Sequence, residues 1–151
     1  MPMGTADIRV GMIIAEIEHL GHAVTIVQPP EPEGACGFAS VDGFDGLLFM
    51  LDGDRLVRFD VDERAAEGGA RAPSWNTPEG AGVGTTEAEL RRLYGSRLTF
   101  EPHPYTAPEG RYAIVHAVGD PFGIIFETYR SRVQSWRSGA WEQVQLIEGC
   151  S

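Results

Sequence analysis

Positive charge is scarce in this chain. Twelve Lys and Arg residues face 22 Asp and Glu, which leaves a net charge of −10 over 151 residues. A nucleic-acid binder needs a basic stripe to neutralise phosphates, so no nucleic-acid partner is expected. An anionic membrane surface is disfavoured for the same reason, whereas a basic partner could be steered in. Long hydrophobic runs are also missing. No apolar stretch approaches the roughly 18 residues of a membrane span, so no membrane insertion is expected.

Cysteine is limited to Cys36 and Cys150, and histidine to His19, His22, His103 and His116. One pair of cysteines with none left over fits a single long-range disulfide tying the C-terminal end to the first half. The alternative is two unrelated reduced thiols. A bridge persists only in an oxidising compartment, so a secreted or periplasmic setting follows from it. The opening MPMGTADI lacks the charged and apolar regions of a signal peptide. A native leader is therefore expected to have been removed ahead of it.

What the chain does contain is ordinary for a globular protein: 42% hydrophobic and 23% charged residues. It also contains one stretch that reads as if written twice. IRVGMIIAEIEHLG at 8–21 matches AGVGTTEAELRRLYG at 81–95, with Val10-Gly11 on Val83-Gly84 and Leu20 on Leu93. Downstream, Leu48-Phe49 with Arg55-Leu56 matches Ile125-Phe126 with Arg132-Val133 at nearly the same offset. Repetition is the first thing to settle in a sequence, and this one predicts a tandem duplication. The expected fold class is α+β: two repeats, each a short N-terminal helix followed by an antiparallel meander of about four strands. Repeat 1 spans residues 5–62, a linker 63–79 and repeat 2 residues 80–151. A lone repeat of about 70 residues would be marginal in stability, so the halves are expected to pack together.

In repeat 1, Val10, Ile13, Ile14, Ile17 and Leu20 follow helical spacing, with Thr5 or Asp7 near the start and Gly21 as the stop. Strands are expected over Ala23–Val27, Cys36–Val41, Leu47–Leu51 and Arg55–Val61. The turn Asp52-Gly53-Asp54 joins the last two, since Asp-Gly supplies positive φ for a tight hairpin. In repeat 2, Thr85 or Thr86 caps a helix with Glu87 and Glu89 near its positive end and Arg91-Arg92 near the other. Strands are expected over Leu98–Phe100, Tyr112–Val118, Gly123–Thr128, Arg132–Ser138 and Gln143–Ile147.

These residues resemble a known family. Val10-Gly11-Met12, Ile17 and Leu20-Gly21, with Val83-Gly84-Thr85, Leu90, Leu93 and Gly95, are similar to the motif of the β-lactamase inhibitor protein fold. They also resemble the single-repeat small outer-membrane lipoproteins of barrel assembly. The resemblance implies helix-plus-meander repeats over nearly the whole chain. Two departures stand out: the inhibitor proteins typically carry a disulfide inside each repeat, where each half here has one cysteine, and the lipoproteins' N-terminal acylated cysteine is missing. The function of neither family is carried over.

Catalytic chemistry finds little support. His19 and His22 have no partner at metal-ligand spacing and read as surface residues, so no metal and no cofactor are expected. Asp42, Asp45, Asp52 and Asp54 miss the calcium-loop pattern and suit turns. Gly80-Ala81-Gly82-Val83-Gly84 precedes a helix but lacks the Lys-Ser/Thr of a phosphate loop. There is no nucleophile elbow, and a cysteine nucleophile would need a nearby base, whereas Cys150 sits at a chain end. His103-Pro104-Tyr105 could line a pocket as acid and base or be a loop stiffened by prolines.

Aromatics and arginines carry the strongest functional signal, because Trp, Tyr and Arg dominate binding hot spots. Tyr129, Trp141, Arg130, Arg137, Tyr105 and His103 form the candidate binding surface, while Trp136 is expected in the core. The expected function is a non-enzymatic binding or inhibitory module that presents a sheet face or inter-repeat groove to a protein partner. The alternative is a small enzyme or ligand carrier whose pocket uses His103, Tyr105 or His116.

Overall fold

Glycines at positive φ and alternating apolar residues break the chain into short strands. The computed structural model describes residues 4–5, 7–29, 36–61, 75–147 and 150. A small ribbon pairs β1 (Gly4–Thr5) with β2 (Ile8–Arg9) and leads into α1 (Ile14–His19). Then come β3 (Val24–Gln28), β4 (Cys36–Val41), β5 (Leu47–Asp52) and β6 (Arg55–Val61). After α2 (Glu87–Tyr94) and a 3-10 turn at Gly95–Arg97 follow β7 (Leu98–Pro102), β8 (Gly110–Val115), β9 (Phe122–Tyr129), β10 (Arg132–Ala140) and α3 (Trp141–Val144). The eight longer strands form one antiparallel sheet in the order β3-β4-β5-β6-β10-β9-β8-β7.

This corrects the expected fold class. Two tandem α+β repeats, each a helix with its own four-strand meander, are not what the chain forms. Its described residues form a single eight-stranded antiparallel sheet with three small helices, and 17% of them are helical. The physical reasons are local and then tertiary. Gly11, at φ +102°, turns the backbone and donates its N–H to the Leu56 carbonyl at 2.8 Å, which stops helix from starting at Val10. Leu20, expected on the buried helical face, is 43% exposed. Six residues are then left for α1, too few for a helix to persist without tertiary support. Between the strand groups, β6 and β10 pair from Trp136–Val61 to Gly139–Arg58, so neither group keeps a free inner edge. Gly139 permits this approach: a Cβ there would meet the Val57 carbonyl oxygen at 2.3 Å.

Two further expectations need correction. Gln143–Ile147 was read as a strand, but Trp141–Val144 is a turn of helix. Phe49, Leu51, Leu56 and Val57 read in sequence as one apolar side of the β5–β6 hairpin, but a register shift in β6 sets Leu51 opposite Leu56 and Met50 opposite Arg58. Alternation turns Val57 to the other face from Leu56, against Phe38 and Met50, and the extra residue brings Arg58, opposite Met50, to that same face. The linker expected at 63–79 lies outside the described residues up to position 74.

The sheet has two unlike faces. The first carries the main core, with Phe49, Phe59, Val61, Phe126, Val133 and Trp136 packed under Ile8, Ile17, Leu90 and Tyr94. The second is crossed by the C-terminal segment. Val144 and Trp141 sit on Tyr112 and Ile125, and Cys150 joins Cys36 in a disulfide spanning 114 residues of sequence. Two buried arginines grip this segment. Arg58 donates to the Gln143 and Leu146 carbonyls, both at 2.9 Å, and Arg137 to the Val144 carbonyl at 2.6 Å. Carbonyls at a helix end have no intrahelical partner, so a cation there satisfies them and opposes the helix dipole. No helix among the described residues is long and apolar enough to cross a membrane.

Candidate functional site

The first face of the sheet is not filled everywhere. Where β6 meets β10, a cavity of about 470 Å³ opens, within the roughly 300–1,000 Å³ of small-molecule sites. Its floor follows from strand alternation. Phe59 and Val61 of β6, Trp136 and Ser138 of β10, Ile124 of β9 and Val115 of β8 all line it, and Trp136 pairs with Val61 across the seam. Ser138 is 5% exposed and Trp136 8%. The Trp136 indole N–H is buried with no hydrogen-bond partner among the described residues. An unmatched buried donor is costly, and here it belongs to a cavity wall.

One side wall is Trp75 to Glu79. Trp75 stacks on Phe44, centroids 5.4 Å apart, and donates its indole N–H to the Asp45 carbonyl at 2.7 Å. Thr77 and Tyr94 hold hydroxyls 2.6 Å apart, and the Tyr94 hydroxyl donates to Glu79 at 3.1 Å. Burial pushes the Tyr94 phenol well above its ordinary value; the Thr77 hydrogen bond pulls the other way, and the Glu79 charge adds to the rise. Tyr94 is therefore a neutral phenol at any physiological pH. Gly82 lets the segment close on itself, since a Cβ there would meet the Asn76 side-chain oxygen at 2.0 Å. The glycine-rich 80–84 stretch is thus a packed turn before α2. Thr86 caps that helix by accepting from the Glu89 N–H at 3.1 Å.

The opposite wall is the β8–β9 loop, with His116, Ala117 and Asp120. The His116 ring stacks on Trp141 at 3.9 Å and 5°, and its Nε2 lies 2.8 Å from the Asp120 carbonyl. One ring face and one edge are therefore engaged, which suits a wall more than a proton shuttle. Arg9 and Arg97 complete the mouth.

The sequence-predicted residues lie elsewhere, in three places. His103 and Arg137 are 7% and 4% exposed and converge on Glu127: His103 Nε2 is 2.7 Å from one carboxylate oxygen, and Arg137 donates to the other at 2.8 Å. Tyr105, 67% exposed, lies 5.8 Å from the His103 ring. Tyr129 donates its hydroxyl to Glu109 at 2.7 Å, and Arg130 lies over the Tyr129 ring. Trp141 is half-buried at the other end of β9, over Gly123. Of the pocket residues His103, Tyr105 and His116, the cavity takes only His116. Its other walls were weighed in sequence as core or linker, and only the aromatic richness of Trp75 and Trp136 could have flagged them.

A second hollow, of about 310 Å³, is lined by Glu87, Pro108, Glu109, Arg111, Arg130 and Ser131. Its charges are matched internally, Glu87 with Arg111 and Glu109 with Arg130. Among the described residues, no group of three His, Cys, Asp or Glu side chains is placed to hold a metal ion. No protein-family model, curated protein or solved structure matches the chain.

Proposed function

We propose that this protein is an exported, non-enzymatic binding module that holds a small, largely apolar molecule in the cavity at the β6–β10 seam. The observation that carries the reading is the cavity itself, about 470 Å³ and floored by Phe59, Val61, Ile124 and Trp136. Close packing is the norm in protein interiors, so a void of this size beside a well-packed core is a built feature. The Cys36–Cys150 disulfide supports an oxidising setting. A carrier role is favoured over an enzymatic one because His116 is already engaged by Trp141 and Asp120.

The test is titration with N-phenyl-1-naphthylamine, a neutral apolar fluorophore. Saturable 1:1 binding that quenches Trp75 and Trp136 emission is expected, and Ala117→Trp at the exposed mouth should abolish it without lowering the melting temperature. Non-saturable uptake, or binding untouched by Ala117→Trp, would sink the proposal.

A protein partner is the second reading, favoured by Val118, which is 104% exposed beside the cavity mouth. Loss of complex formation on Val118→Asp, with fluorophore binding intact, would bring that reading to the front.

A further inference from the structure

The cavity carries two unpartnered donors that narrow its ligand, an inference that rests on the cavity being a binding site. The chain has no lysine, so its twelve Lys/Arg cations are all arginines, and most of those described are committed within the fold. Arg58, Arg92, Arg111, Arg130 and Arg137 pair with carboxylates. Arg55 and Arg132 donate to the carbonyls of Gly11 and Gly84; Arg91 lies over the Phe100 ring and does not line the cavity.

Arg9 and Arg97 differ. Both line the cavity and both are exposed. Among the described residues, neither guanidinium donates a hydrogen bond or meets a carboxylate; Arg97 only lies over the Tyr94 ring, at 5.5 Å. Among the described lining residues the two carboxylates, Glu79 and Asp120, each already accept a hydrogen bond from a neutral donor. Glu79 accepts from the Tyr94 hydroxyl at 3.1 Å, and Asp120 accepts from the Phe122 N–H at 2.9 Å. Formal charge among the described lining residues therefore balances, two of each sign, but the hydrogen-bond donors left without a partner are the two guanidiniums. In a molecule whose net charge is −10, two exposed arginines free to donate at one cavity are a specific feature of that cavity.

We propose that the cavity takes a small aromatic or aliphatic molecule bearing a single oxyanion group, a carboxylate or sulfonate. Its apolar body lies against Phe59, Trp75 and Trp136, and its oxyanion meets Arg9 and Arg97. Guanidinium groups suit this task because their planar donor fork matches an oxyanion with paired hydrogen bonds. The acidic surface repels anions at a distance, so discrimination rests on the contacts at the mouth and not on steering.

The experiment compares two probes with one skeleton: N-phenyl-1-naphthylamine, which is neutral, and 8-anilinonaphthalene-1-sulfonate, which adds one sulfonate. Calorimetric titration at physiological ionic strength is expected to show the anion binding roughly tenfold more tightly, the scale of one charge-assisted hydrogen bond. In Arg9→Gln, Arg97→Gln and the double variant that advantage should shrink stepwise to nothing, while the neutral probe binds as before. Both positions are exposed, so an unchanged melting temperature is expected and certifies the fold. Equal affinity for both probes overturns the oxyanion inference and leaves the cavity reading standing. An anion preference that survives in the double variant overturns the assignment to Arg9 and Arg97. Failure of both probes to bind removes the cavity reading itself, and the inference with it.

Discussion

Gly123 lacks a side chain because Trp141 occupies the space one would fill. A Cβ at that position would lie 2.4 Å from the indole Cε3 and 2.8 Å from Cζ3. Trp141 is held from the other side by the His116 ring, so it cannot retreat without disturbing a cavity wall. Gly123→Ala is therefore expected to cost about 1–3 kcal/mol, the usual range for overpacking. In a double-mutant cycle with Trp141→Ala the penalty should largely vanish, since the clash then has no partner. Chemical denaturation of the four proteins measures it, and additive losses would show that the two residues do not meet. At this scale Trp141 acts as a spacer between the sheet and a loop, which is a different job from the exposed hot spot its sequence position invites.

At the level of elements, the start of α2 is pinned to the sheet by one buried carboxylate. Glu87, 4% exposed, receives hydrogen bonds from Arg111 and from the Thr128 hydroxyl at 2.7 Å. Burial by itself would raise the Glu87 pKa, but the Arg111 and Thr128 hydrogen bonds and the Arg111 charge outweigh it, and the group titrates below its ordinary value of 4.5. A carboxylate whose pKa is depressed by folding stabilises the fold fully above the unfolded value and loses that contribution as pH falls through the folded one. Glu87→Gln is thus expected to lower stability by about 2 kcal/mol at pH 7. The gap from the parent protein should close as pH drops below 4.5, and urea midpoints at pH 7, 5, 4 and 3 follow it. A gap that stays constant with pH would mean that the lost packing, and not the charge, accounts for the cost.

For the whole molecule, one covalent link and one strand pair decide whether the chain behaves as a unit. The β6–β10 pairing joins the two groups of strands, and the disulfide holds the C-terminal segment across the second face of both. Closing a loop of 114 residues is worth roughly 4–5 kcal/mol in the chain-entropy account. The double variant Cys36→Ser/Cys150→Ser is expected to melt roughly 10 °C lower. It should still unfold in a single transition, because the sheet and its first-face core are untouched. Hydrogen exchange should rise first toward 144–147, the end of the segment farthest from the Trp141 anchor on Pro121 and His116. Arg58 and Arg137 still grip that end once the bridge is gone. Two separated transitions would show that the disulfide, and not the seam, makes the molecule one cooperative body.

Much of the local structure was legible because short-range chemistry dictates it. Gly53 at φ +63° turns Asp52-Gly53-Asp54 between β5 and β6, and Thr86 caps α2 through its hydroxyl. The bridge could be named because Cys36 and Cys150 are the only two cysteines. Alternation likewise marks which side of a strand is apolar. It does not say which strand lies beside which, so a repeated pattern read as two units formed one sheet instead. Nor does it separate a buried arginine from an exposed one. Arg137 and His103 look like surface hot spots until Glu127 and the Val144 carbonyl, remote from them in sequence, supply their partners. The cavity is the clearest case of what only the tertiary structure decided. It exists because Trp75, Tyr94 and the His116 loop close over β6 and β10 without filling the space between them, and a gap among residues far apart in the chain leaves no mark on any one stretch of it.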